Sequence, residues 1–353
     1  MSRLNCRGRA ADRGGASYLR RAFLLGLVQG PAELLPVSSS AHAALLPGLL
    51  GWEEAELDRA ARNEREVALH AGTAAALSGL LCAPGVRAAV DRELRELDRR
   101  RLAALALALA PPALAGLLLE RRLERRPATP PTIAVGLVAG AAAMALADSR
   151  GGGRRLAEVG PADGLALGVA QALALLPGVS RSGATLTAAR LRGFAREDSQ
   201  GLSWRAGLPV LVGAAALKAV RRGPAGGDVR RSSSDGSEGP ASGGPDRPAY
   251  RRRAAHAVAA AGAFLSTLAA APLIHPSRRG RPLAPFALYR CALAVVAVHR
   301  SRPARRQPAV GRRGRRQGAA GGGRQPVAGR RPAPGRQPAA GIENACRVRK
   351  IGA

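Results

Sequence analysis

Apolar residues in this chain gather into long uncharged runs instead of alternating with polar ones. The runs 67–83, 102–119, 132–147, 206–220, 254–274 and 283–298 each lack the polar face of a surface helix in a water-soluble domain. A membrane-crossing helix needs about 20 mostly apolar residues, with about 17 as a lower bound. The six runs, most near the short end, therefore predict a helical chain that crosses a bilayer repeatedly. Two further stretches, 23–50 and 165–191, are apolar but interrupted near the middle by proline, glycine and small hydroxyl residues. A helix broken inside hydrocarbon frees backbone donors and carbonyls that lipid cannot satisfy. Each broken stretch is therefore expected to line a cavity or binding site.

The two broken stretches are alike. Gly26-Leu-Val-Gln29 leads to Leu-Leu-Pro36 and a serine cluster, and Gly168-Val-Ala-Gln171 leads to Leu-Leu-Pro177 and a second serine cluster, with one residue of slippage. Matched Gln, Pro and Ser are not the residues that an Ala/Leu-rich chain repeats by chance. Paired broken segments in corresponding halves predict an internal repeat meeting at a central site.

Composition sharpens this picture. Hydrophobic residues make up 46% of the 353 positions but aromatics only 3%, so alanine and leucine supply the apolar mass. The formal charge of +31 is almost wholly arginine, since Lys218 and Lys350 are the only lysines. Such an excess suits nucleic acid or anionic lipid. Its placement favours lipid: arginines crowd the ends of apolar runs, as in Arg99–Arg101 and Arg121, Arg122, Arg125 and Arg126. No aromatic platform accompanies the basic tail, which argues against a nucleic-acid partner. Cys6, Cys82, Cys291 and Cys346 are scattered, giving neither a zinc motif nor a disulfide framework. Residues 1–17 form a basic extension with no signal-peptide pattern. A membrane domain is expected over 18–298, interrupted by a flexible Gly/Ser/Pro/Arg loop at 221–253, with a disordered Arg/Gly/Pro-rich tail at 299–353.

Chemistry concentrates in the breaks. The first holds Gln29, Glu33, Ser38, Ser39, Ser40 and His42; the second holds Ser180, Arg181, Ser182 and Thr185. An ionisable group within a span costs about 2.5–3.5 kcal/mol on insertion scales, so Glu33, His42 and Arg181 are functional candidates. Arginine matches phosphate oxygens with a fixed fork of donors, and serine hydroxyls and helix-start amides add to it. Glu33 can bind a divalent cation or move a proton, and His42 can serve as acid, base or nucleophile. The plainer readings are a snorkelling Arg181, a structural His42 and capping serines. His70, Thr73 and Arg205, in or beside apolar runs, read as helix–helix or interfacial groups.

These residues carry a resemblance. Gly26-Leu-Val-Gln-Gly-Pro-Ala-Glu33-Leu-Leu-Pro-Val-Ser-Ser-Ser-Ala-His42 resembles the first signature of the undecaprenyl-diphosphate phosphatases, the bacitracin-resistance family. Pro177-Gly-Val-Ser-Arg-Ser-Gly-Ala-Thr185 resembles the second, and Pro285-Phe-Ala-Leu-Tyr-Arg290 adds support near the last span. The resemblance implies an all-α, polytopic membrane fold with inverted repeats and two re-entrant helical hairpins. It also implies hydrolysis of undecaprenyl diphosphate to undecaprenyl phosphate and inorganic phosphate, recycling a lipid carrier for cell-wall synthesis and conferring bacitracin resistance. By the same resemblance Glu33, Ser39, His42 and Arg181 are catalytic, with the nucleophile left open between Ser39 and His42. Gln29, Ser180, Ser182 and Thr185 bind substrate, and Glu33 holds a divalent cation, Mg or Ca. The implied partners are a polyprenyl diphosphate lipid and the membrane, with a homodimer as one candidate assembly. The implied location is the inner (plasma) membrane, crossed several times, with the site opening away from the cytoplasm. Departures from the pattern are Gln29 for a first glutamate, Arg65 for an aromatic, His70 for a glutamine, and Arg205 in an apolar span. A non-enzymatic flippase shares broken helices, but Ser39 with His42 argues against it. The acid phosphatases of lipid phosphates need a second histidine after the arginine, and none follows Arg181 with that spacing.

Overall fold

A computed structural model describes residues 4–125, 128–222, 247–274 and 280–301. Eleven α-helices appear among them in the order α1 (Leu4–Leu34), α2 (Ser39–Leu49), α3 (Arg59–Cys82), α4 (Pro84–Arg95), α5 (Arg99–Arg125), α6 (Pro130–Ser149), α7 (Pro161–Leu173), α8 (Arg181–Leu191), α9 (Arg196–Arg222), α10 (Arg247–Ala270) and α11 (Ala284–Ser301). The described residues form no strand; Arg154 and Phe194 make one isolated bridge. The protein is all-α and polytopic. α1 runs through the boundary placed at 17/18 in the sequence. The loop expected at 221–253 is trimmed at both ends by α9 and α10, and its middle, like all but the first residues of the 299–353 tail, lies outside the described residues.

Three described helices, Arg99–Leu119, Pro130–Ser149 and Tyr250–Leu273, are long and apolar enough to cross a bilayer. The pair α3 and α4, bent by 81°, makes a fourth if counted as one span. The six apolar runs all lie in helices, yet α9 and α11 do not qualify by themselves. α9 opens with charged residues, and its apolar stretch also contains Arg205, which pairs with Glu93 of α4. α11 is only 18 residues long and carries Arg290.

Which residues face inward follows membrane rules. Leu117, Leu118, Val135, Leu265, Leu288 and Val295 are exposed, whereas buried positions are mostly alanine. Small residues allow helices to approach closely where lipid offers no hydrophobic drive for association. Gly26 and Gly30 of α1 face Ala259, Gly262 and Ser266 of α10, and a Cβ on either glycine would overlap that backbone. Gly164 and Gly168 of α7 meet Ala104 and Leu107 of α5 in the same manner. The first broken helix thus packs on α10 and the second on α5, while α3 packs on α9 and α6 on α11.

Two buried carboxylates tie helix ends together. Asp148 accepts from Arg196 at 2.7 and 3.0 Å and from the Leu283 amide at 3.0 Å, and lies 3.4 Å from Arg190. Asp163, at the start of α7, accepts from Arg154 at 3.0 and 2.9 Å, from Arg192 at 2.6 Å and from the Gly160 amide at 3.0 Å. Burial would push the Asp163 carboxyl up, but the hydrogen bonds from Arg154 and Arg192 hold it below the usual carboxylate range. Buried charge is tolerated at these positions because each carboxylate is paired and hydrogen-bonded.

Candidate active site

Both breaks follow from local backbone chemistry. Pro36 disfavours the helical conformation at Leu35, so α1 stops there. Ser38 then adopts φ 73°, the one left-handed non-glycine residue among those described. This is a strained conformation that costs of the order of 1–3 kcal/mol and tends to mark functional sites. Ser38 also caps α2, its hydroxyl accepting from the Ala41 amide at 3.4 Å. In the second break Gly178 takes φ 85° after Pro177, and Ser180 caps α8 by accepting from the Gly183 amide at 3.2 Å. Two helix starts, each a source of positive potential and free amides, are thereby brought to one place: Ser182 Oγ donates to the Leu35 carbonyl at 3.2 Å across the gap between the breaks.

Glu33 is the hub. Its Oε1 accepts from Arg181 Nη2 at 2.9 Å, joining the two halves of the chain. Its Oε2 accepts from Ser39 Oγ at 2.5 Å and from Gln29 Nε2 at 3.3 Å, and lies 3.5 Å from His70 Nε2. The Glu33 side chain is only 6% exposed and Arg181 is 18% exposed, so the pair is largely shielded yet open on the arginine side. A Cβ on Gly207 of α9 would overlap Arg181 Nη1, so a side chain there would displace the guanidinium.

His42 lies one turn into α2 and is 5% exposed. Its Nδ1 is 2.7 Å from the Ser38 carbonyl and its Nε2 2.6 Å from the Tyr289 hydroxyl of α11. The two rings are within 5° of parallel with 5.6 Å between centroids, so Tyr289 meets the imidazole edge to edge through its hydroxyl. A carbonyl only accepts, so Nδ1 carries the proton and in the neutral ring Nε2 presents its lone pair. Ser39 and His42 are not hydrogen-bonded to each other: the serine is committed to Glu33 and the histidine to Tyr289. The Thr185 hydroxyl turns inward, donating to the Arg181 and Ser182 carbonyls at 3.0 and 3.1 Å and pairing with Ser203 at 2.6 Å. It holds the first turn of α8, where Arg181 starts the helix. Ser180 and Ser182 are 3.1 Å apart, next to that turn.

Sequence reasoning missed His70 and Tyr289. From the sequence His70 reads as a helix–helix or interfacial group, as does Thr73, which pairs with Thr267 at 3.3 Å; the departure of His70 from the family pattern is the signal. Tyr289, one of three tyrosines, sits in the Pro285–Arg290 segment noted only for resemblance. Arg65, another departure, is buried and donates to the Ala43 carbonyl at 3.1 Å, bracing α2 against α3.

Among the described residues no group of three or more His, Cys, Asp or Glu side chains is clustered for a metal. A cation here would have to be held in the manner of magnesium, by one carboxylate with the oxygens of a bound phosphate. Glu33 would be its protein ligand.

Residues 22–296 match the family model described as bacitracin resistance protein BacA. The chain is 41% identical over 209 residues to an undecaprenyl-diphosphatase of Pelobacter propionicus, covering 57% of this chain and 74% of the relative. It is 39% identical over 221 residues to one from Geobacter metallireducens, covering 59% and 80%. A third, from Pelotomaculum thermopropionicum, is 36% identical over 202 residues, covering 56% and 74%. With its two signature breaks converging on Glu33 and its match running through nearly all the described helices, the chain belongs to the bacitracin resistance protein BacA family.

Proposed function

We propose that this protein hydrolyses undecaprenyl diphosphate to undecaprenyl phosphate and inorganic phosphate, returning the lipid carrier to cell-wall synthesis. The observation that carries the reading is the 2.9 Å contact between Arg181 and Glu33, with Ser39 on the same carboxylate. It supports the reading because a guanidinium suited to phosphate, a hydroxyl able to act as nucleophile and a carboxylate able to take its proton meet in one shielded space.

Arg181 and the α8 start bind the terminal phosphate, and the amides opening α2 face the developing charge. Ser39 Oγ attacks the terminal phosphorus while its proton passes to Glu33 over the 2.5 Å bond. The bond from phosphorus to the bridging oxygen breaks, and undecaprenyl phosphate leaves with that electron pair. Water then cleaves the Ser39 phosphoester, the serine oxygen recovering its proton from Glu33 and His42 Nε2 taking one from water. A divalent cation on Glu33, when bound, would offset the charge of the diphosphate. Gln29, as an amide, leaves Glu33 the sole carboxylate for it, so the cation is expected to bind weakly without substrate.

The pairing of each broken helix with a long apolar one, α1 with α10 and α7 with α5, supports the inverted-repeat, re-entrant reading. In this reading the protein sits in the plasma membrane with the site facing away from the cytoplasm, a point that labelling of single cysteines from either side decides. Crosslinking in native membranes tests the homodimer. The activity is tested by phosphate release from purified, reconstituted protein, with and without chelator. Loss in His42→Ala and Arg181→Ala supports hydrolysis, and binding of the lipid without phosphate release would favour a flippase instead. Removing residues 300–353 should leave activity intact.

A further inference from the structure

The mechanism leaves one contact unused. His42 is buried, and its reactive nitrogen is covered by a phenol 2.6 Å away that is itself 46% exposed. Tyr289 lies on α11, 247 residues along the chain from His42, so the contact is a product of the tertiary fold and not of local sequence. The two rings are within 5° of parallel and meet at that hydroxyl, which is the edge through which Nε2 meets the open side. The other ring nitrogen is locked by the Ser38 carbonyl, held in place by the left-handed backbone at that residue. An imidazole oriented from both sides in this way can accept a proton only along the line that Tyr289 occupies.

We infer that Tyr289 is a further catalytic residue, relaying the proton of the hydrolytic water to His42. The inference rests on the reading of Ser39 as nucleophile. As water attacks the Ser39 phosphoester, its proton moves to the Tyr289 oxygen while the phenolic proton moves to His42 Nε2. The water oxygen forms the new bond to phosphorus, and the bond from phosphorus to Ser39 Oγ breaks. That oxygen leaves with the electron pair and takes the proton held by Glu33. Tyr289 ends as it began, His42 ends as an imidazolium, and its extra proton departs to solvent with inorganic phosphate. The first half-reaction does not pass through Tyr289, which separates the two steps experimentally.

The test is Tyr289→Phe, which keeps the ring beside His42 and removes only the hydroxyl. Reconstituted protein is given undecaprenyl diphosphate labelled with 32P in the terminal phosphate. A lost proton relay is expected to lower kcat by roughly 100-fold, with KM within about twofold of wild type and label accumulating on Ser39 as an acid-stable phosphoester. Wild-type kcat in Tyr289→Phe overturns the relay and leaves the Ser39 reading standing. Acid-labile label on His42 overturns the Ser39 reading itself. A lower melting temperature with kcat and labelling both unchanged would make Tyr289 a packing residue and also overturn the relay. Should Tyr289→Phe fail to fold, difluorotyrosine at position 289, nearly isosteric but more acidic, replaces it. An unchanged kcat there overturns the relay, and an altered kcat with unchanged KM supports it.

Discussion

Glu33→Gln and Arg181→Met, made singly and together, measure whether the two breaks share a site in the folded protein. At 2.9 Å and an effective dielectric of about 20, the gross attraction between the charges is roughly 6 kcal/mol. Desolvation of both groups removes much of it, and breaking a buried pair usually costs about 3–5 kcal/mol. Here the cost is smaller, because without Arg181 the carboxylate keeps Ser39 at 2.5 Å, Gln29 at 3.3 Å and His70 at 3.5 Å. The surviving coupling is that of one charge-assisted hydrogen bond, about 2 kcal/mol, or about 30-fold in the unfolding equilibrium. Equilibrium unfolding in mixed detergent micelles reads it through the fluorescence of Trp52 and Trp204, the only tryptophans. Each single variant should lose stability, and the double variant should lose about 2 kcal/mol less than their sum. Additivity within about 0.5 kcal/mol would mean the two residues do not touch, and the shared site would be refuted.

Other perturbations probe the scaffold. Arg290, fully buried, donates to the Gly136 and Gly178 carbonyls at 3.3 and 3.1 Å, so Arg290→Met strands two buried acceptors at about 1–3 kcal/mol each. A lowered melting temperature is expected, and an unchanged one would show that the second break does not need this brace. Gly72→Val forces a side chain into the Ala260 backbone and should cost about 1–3 kcal/mol, read as a fall in folded yield on size-exclusion chromatography. The Asp163 carboxyl, held low by Arg154 and Arg192, stabilises the fold above its unfolded pKa of about 3.9. That contribution is lost as pH falls through the lower folded value. Acid unfolding followed by fluorescence should therefore separate wild type from Asp163→Asn at neutral pH and bring them together in strong acid; curves equally far apart at every pH would exclude this linkage.

Much of the fold could be read before any coordinates. Pro36 and Pro177 announce the two breaks because each is followed by a cluster of serines, whereas Pro111 and Pro112, which lack such neighbours, lie inside the unbroken α5. Glu33, His42 and Arg181 stand out because charge is costly there. What could not be read is which atom each group would face. The spacing Ser39-x-x-His42 suggests a dyad, yet a left-handed Ser38 turns the imidazole toward its own carbonyl and out to α11, giving the serine to Glu33. His70 and Tyr289 join the site through packing of α3 and α11, and such contacts leave no local pattern. Of the six apolar runs read as candidate spans, those in α9 and α11 lie in helices that fall short of a span by themselves, because α9 opens with charged residues and α11 is only 18 residues long.

The bond between Glu33 and Arg181 joins residues 148 positions apart. A ribosome therefore delivers the acidic half of the centre to the bilayer well before its cationic counterpart has been synthesised. In that interval the carboxylate has only Gln29, Ser39 and, once α3 is in place, His70 for company. A chain halted there holds a carboxylate in lipid without the guanidinium that pairs with it in the folded protein.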